Sequence, residues 1–116
     1  MMFALIKDAS KLEYYGDVPE VFGATKEQAE TYYGDWDDGV MLCEYLLPEM
    51  DEKIDDCLLD LSDIDYFNKD KCVALKDILE AKMKVASSER LYELYTILYQ
   101  YVLRAIELGT GVVIEL

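Results

Sequence analysis

Thirteen carboxylates lie between Glu30 and Asp65, against one cation, Lys53. This stretch holds −12 of the chain's formal charge of −14, in 36 of 116 residues. Residues 1–29 carry −2, and residues 66–116 balance seven Lys/Arg against seven Asp/Glu. The field is therefore local. Like charges gathered in one place repel one another and oppose folding, so such a cluster implies a compensating use. Carboxylates in this number can share a proton in hydrolysis, hold a hard divalent cation, or meet a positively charged macromolecule.

Hydrolysis needs one carboxyl desolvated and its pKa raised. The acids here fall mostly on faces expected to be exposed, where titration stays ordinary. The chain has no His, the commonest general base. It also lacks G-x-S-x-G, G-x-x-x-x-G-K-[ST] and G-x-G-x-x-G motifs. The residues read as non-enzymatic, with no catalytic set and no cofactor. For a cation, Asp60, Ser62, Asp63 and Asp65 stand close together. A calcium loop requires a Gly at its sixth position and a Glu at its twelfth. No window from 51 to 70 meets this, and Asp63 to Asp70 carries Tyr66 and Phe67 instead. The expectation is no dedicated metal site. Nucleic acid is disfavoured as a partner, since phosphate contact needs Lys/Arg.

A basic protein is the remaining partner. The candidate contacts are Asp35, Trp36, Asp37, Asp38, Glu44, Asp51, Glu52, Asp55, Asp56 and Asp60. Tyr32, Tyr33 and Tyr45 border the same block, and aromatic anchors beside charge suit protein interfaces. The competing reading is a solvated surface that only keeps the chain soluble.

These residues must be positioned by a fold. Residues 2–7 are apolar and read as a buried strand. Residues 11–22 read as extended, with a short hairpin at Gly16-Asp17 and Pro19. Thr25 and Gln28 form a capping-box pattern for a helix from Lys26 to Tyr33, stopped by Gly34. Asp37 is placed to cap a helix over 38–47, and Pro48 opens the next. Over 49–61, Met50, Ile54, Cys57, Leu58 and Leu61 share one helical face, opposite Asp51, Glu52, Asp55, Asp56 and Asp60. The i,i+4 pairs Asp51–Asp55, Glu52–Asp56 and Asp56–Asp60 would each oppose that helix by roughly 0.2–0.5 kcal/mol. Residues 71–84 form a conventional surface helix of mixed charge. A long helix over 89–108, capped by Ser87-Ser88 and stopped by Gly109, is apolar nearly all round and belongs in the middle of the domain. Residues 111–116 read as a strand that pairs with 2–7. The predicted fold is mainly α (α+β): about five helices around the central C-terminal helix, with a small sheet joining the terminal strands, in a single domain spanning 1–116.

Cys43, Cys57 and Cys72 are odd in number and form no C-x-x-C pair, so reduced thiols in the cytoplasm are expected. Met2 to Ile6 lacks the basic region of a signal peptide, and the apolar stretch 94–103 is too short to span a bilayer.

With Asp35-Trp36-Asp37-Asp38 and the acidic 51–60 face, the chain resembles the small acidic immunity proteins of bacterial polymorphic-toxin and contact-dependent growth-inhibition systems. The resemblance implies a one-to-one complex with one cognate toxin, an RNase or DNase, blocked at its active site or a nearby exosite. Phage-encoded nucleic-acid mimics and anti-defence proteins are similar in the same general way, but their charge covers the whole surface. An acidic adaptor module without inhibitory action is the third reading.

Overall fold

The computed structural model describes residues 1–10, 12–57 and 59–116, so the expectations on Lys11 and Leu58 lie outside the described residues. The elements run β1 (Met2–Ile6), β2 (Tyr14–Tyr15), β3 (Val18–Pro19), β4 (Ala29–Tyr33), α1 (Trp36–Tyr45), α2 (Leu47–Lys53), β5 (Ile64–Phe67), α3 (Lys69–Lys84), α4 (Glu89–Leu108) and β6 (Val112–Glu115). This corrects the expected mainly α domain of five helices. Among the described residues there are four helices and six strands, in two antiparallel sheets.

The main sheet has the order β4-β1-β6-β5. β1 and β6 do pair, with Ala4 opposite Val113, but they form the centre of four strands rather than a small sheet of two. All five residues of β1 are buried. A continuous apolar run is what a strand covered on both faces requires. On one face, Phe3, Leu5, Val112 and Ile114 join Phe67 and the inner sides of the helices. On the other, Met2, Ala4, Ile6, Ala29 and Val113 are covered by Val21, with Leu12, Val18 and Ala24 around them.

The helix expected over 26–33 is a single turn followed by β4. The side chain of Gln28 accepts from the Thr25 backbone N–H at 2.8 Å, so half of the capping box exists. Thr31-Tyr32-Tyr33 then favours a strand, because branched and aromatic side chains pack on a pleated surface. The helix expected over 49–61 stops at Lys53, with Ile54 in extended backbone. Asp56 and Ser62 adopt positive φ, at 57° and 68°. Stopping early removes the like-charge i,i+4 contacts that a continued helix would impose. Ile54 and Leu59 still reach the core.

α4 is also displaced from the expected central position. Leu91, Leu94, Tyr95, Leu98, Val102 and Ala105 are buried against the sheet and α3, while Tyr92, Leu103 and Leu108 remain exposed. Ser88 caps α4, accepting from Leu91 N–H, and Gly109 closes it in the left-handed region at φ 72°. The cap of α1 is Asp35 rather than Asp37, in a reciprocal box with Asp38. α3 begins two residues earlier than expected, with Asn68 accepting from Lys71 N–H.

Candidate protein-binding surface

α1 presents the aromatic half of the surface. Asp35 Oδ1 accepts from Asp38 N–H at 2.9 Å, and Asp38 Oδ2 accepts from Asp35 N–H at 3.1 Å. Negative side chains here also complement the positive end of the helix dipole, so Asp35, Asp37 and Asp38 have a local reason to be acidic. Trp36 and Val40, four residues apart, are both exposed, and Glu44 continues the stripe a further turn along. Asp35 and Glu44 stand nine residues apart, about 13 Å along the axis. Tyr33 is 63% exposed at the end of β4, just before this stripe. The adjacent Tyr32-Tyr33 pair was its only sequence signal, and strand alternation divides it. Tyr32 turns inward to stack on Phe3 and Tyr33 turns out.

Asp38 does not belong to the accessible set, although its residue type and position suggested it. It is 4% exposed. Arg90 holds it from α4, with Nε donating to Oδ1 at 2.9 Å and Nη2 to Oδ2 at 2.7 Å. Arg90 Nη2 also donates to the Tyr32 hydroxyl at 3.1 Å, and Nη1 to Glu93 at 2.7 Å. The guanidinium holds the Asp38 carboxyl below the usual carboxylate range, against the opposing effect of burial. This is a clamp joining α1, β4 and α4. Arg90 lies far along the chain from the acidic block, and no local spacing marks it.

Two further acids are matched from the C-terminal half. Arg104 meets Glu30 at 2.7 Å, and Lys82 meets Glu49 at 2.7 Å, with Lys53 also near Glu49 at 3.4 Å. The block is thus partly neutralised. Asp37, Glu44, Asp51, Glu52, Asp55 and Asp56 are exposed and form no ion pair among the described residues.

The 51–60 segment presents the acidic half. Asp51 and Glu52 occupy the last turn of α2, where the helix dipole favours cations. Asp55 and Asp56 follow in the turn, and Lys71 Nζ donates to the Asp56 backbone oxygen at 3.0 Å, leaving that carboxylate unpaired by it. Asp60 is exposed and accepts from the Leu61 backbone N–H at 2.7 Å; burial raises the Cys43 thiol of α1, and the charge of Asp60 raises it further. Burial likewise raises Cys57, opposed by the Leu59 backbone and assisted by the nearby Asp51. The accessible candidates therefore lie on two consecutive elements, the outward side of α1 and the end of α2 with its following loop, which includes Asp60.

Among the described residues no group of three His, Cys, Asp or Glu is arranged to hold a metal ion. No helix among them is long and apolar enough to cross a membrane. No family model, no curated protein and no solved structure matches the sequence.

Proposed function

We propose that this protein binds a positively charged protein and inhibits it stoichiometrically, as an immunity protein neutralises a basic toxin. A nuclease domain is the favoured target, because its cleft presents Lys and Arg to phosphates. The protein acts by occupying that cleft or a nearby site, with no chemistry of its own. The observation that carries the reading is Asp51 and Glu52 at the C-terminal end of α2, followed by Asp55 and Asp56. Local folding is opposed by charge of that sign in that place. The exposed Trp36 on the adjoining helix supplies an anchor of the type interfaces use. Steering by such a field accelerates association and makes it depend strongly on salt. The three cysteines are free, which supports a reducing compartment, the cytoplasm.

A nucleic-acid mimic is disfavoured by the neutral balance of residues 66–116. The test is capture from the native host, compared with Asp51→Lys, Glu52→Lys, Asp55→Lys in one chain. Each reversal adds two charges, so three take −14 to −8. Asp56 is left in place because its φ of 57° disfavours a lysine. One basic enzyme held at equal stoichiometry, inactive when bound and released by the reversals, is the expected result. Retention of the same partner at unchanged affinity rejects the acidic surface. Several weak, salt-sensitive partners without inhibition would show an adaptor.

A further inference from the structure

The main sheet ends differently on its two sides. Gly34 N–H donates to Met1 O, and Lys7 N–H donates to Gln28 O, which fixes the antiparallel register between β1 and β4. Glu30 and Tyr32 therefore direct their backbone groups at β1, and Ala29, Thr31 and Tyr33 direct theirs away from it. The Ala29 N–H is taken by Thr25 O at 3.0 Å. The outward N–H and C=O of Thr31 and Tyr33 have no partner among the described residues. At the opposite edge, the equivalent outward N–H of Tyr66 in β5 is occupied by the carboxylate of its neighbour Asp65, at 2.8 Å. The β5 edge is capped at this donor and has β3 packed beside it, whereas Thr31 and Tyr33 of β4 have neither among the described residues.

The open edge faces a groove of about 440 Å³, lined by Lys7, Val21, Ala24, Lys26, Thr31 and Tyr33. Thr31 and Tyr33 are exposed along it. Its two ends differ in charge. Lys7 and Lys26 stand at the Ala29 end, where Lys7 Nζ donates to the Lys26 carbonyl. Asp35, Trp36 and Asp37 stand just past the Tyr33 end, exposed. A second copy of the chain is a poor occupant, because it brings a further −14 to the contact.

We propose that an extended segment of the cationic partner adds to β4 as a fifth, antiparallel strand. Its backbone pairs with Thr31 and Tyr33, and its basic residues precede the paired part and lie over Asp35 and Asp37. Main-chain hydrogen bonds to an exposed edge give such a strand its hold, and side-chain pockets and end charges give it selectivity. The proposal deepens the reading above and rests on the partner being cationic.

The probe is a synthetic decapeptide of three lysines followed by alternating threonine and valine. Two further versions carry N-methyl groups on one or the other alternate set of amides. Binding to the isotopically labelled protein is followed by amide exchange. The expected result is saturable binding, with exchange at Thr31 and Tyr33 slowed about tenfold and one methylated version losing about tenfold in affinity while the other does not. Thr31→Pro should lose a similar factor, since it deletes the outward donor without touching a bond to β1. If that variant unfolds, the methylated pair still decides, because it leaves the protein unchanged. Binding by both methylated versions with no slowing at Thr31 and Tyr33 overturns the added strand but leaves the acidic surface standing. No binding of the parent peptide overturns it as well. Slowed exchange that persists when the three lysines become serines keeps the strand and removes the cationic partner.

Discussion

Replacing Arg90 with Met should expose how much the clamp on α1 contributes. The substitution keeps the stem's packing and removes four hydrogen bonds, two of them to Asp38. Breaking a buried ion pair by deleting one partner costs about 3–5 kcal/mol. Here the Arg90 side chain is 40% exposed and that of Asp38 only 5%, so water reaches the vacated site from one side. About 2 kcal/mol is then the expected loss at pH 7. Unfolding entropy near 2.1 cal/mol/K per residue converts this to a fall of about 8 °C in Tm for a chain of this size. The pH dependence gives an independent check. In the native protein the folded Asp38 sits below its ordinary value, so its stabilisation is complete above about pH 4 and is lost as pH falls through the depressed folded value. In the variant, burial without the guanidinium pushes Asp38 upward, so protonation relieves a buried charge. The gap between the two proteins should therefore narrow from pH 7 to pH 4 in parallel urea titrations. A difference under about 0.5 kcal/mol at pH 7, or one that stays constant with pH, would refute the clamp.

Three further outcomes follow from local geometry. Cys72 is fully buried, donates to the Phe67 carbonyl at 3.3 Å, and is pushed up to about 12 by burial, so a thiol reagent at pH 8 should modify half-buried Cys43 and Cys57 first and reach Cys72 only on unfolding. Equal rates at all three would contradict its burial. A Cβ at Gly111 would collide with the Phe67 carbonyl and sit 2.6 Å from the Tyr66 ring, so Gly111→Ala should lower stability by about 2 kcal/mol in a denaturant melt. Asp56 at φ 57° should accept Gly with a gain of about 0.5 kcal/mol and lose about 1–2 kcal/mol as Val. A neutral Val substitution there would mean that the turn relaxes to another conformation.

The parts of the fold legible in the sequence are those where one local signal acts alone. Ser88 and Gly109 bracket α4 as their cap chemistry requires, and Met2–Ile6 has the uninterrupted apolar run of a doubly covered strand. The misreadings come where local and long-range preferences compete. Thr25 and Gln28 do make a helical turn, but Tyr32 gains more by stacking on Phe3 from β4. The apolar spacing over 49–61 is genuine, yet the acids between those positions oppose the helix that would use it. β5 was hidden because Asp63 precedes it and Asp65 lies within it, which makes Ile64–Phe67 resemble a polar loop. At the candidate surface, composition located the charged stretch. It did not separate Asp38 from the accessible acids, because its partner Arg90 comes from a distant helix. Nor did it mark the open backbone of β4, which depends on register rather than on side-chain type.

The central pairing of β1 with β6 has a consequence during translation. Ribosomes deliver Met2–Ile6 more than a hundred residues before Val112–Glu115, yet the two strands are neighbours in the sheet. Until the late strand emerges, β1 can align only with β4, and its second edge waits as an unprotected apolar ribbon. The nascent chain should therefore lean on chaperones until β6 emerges, with sheet closure a late step of its maturation.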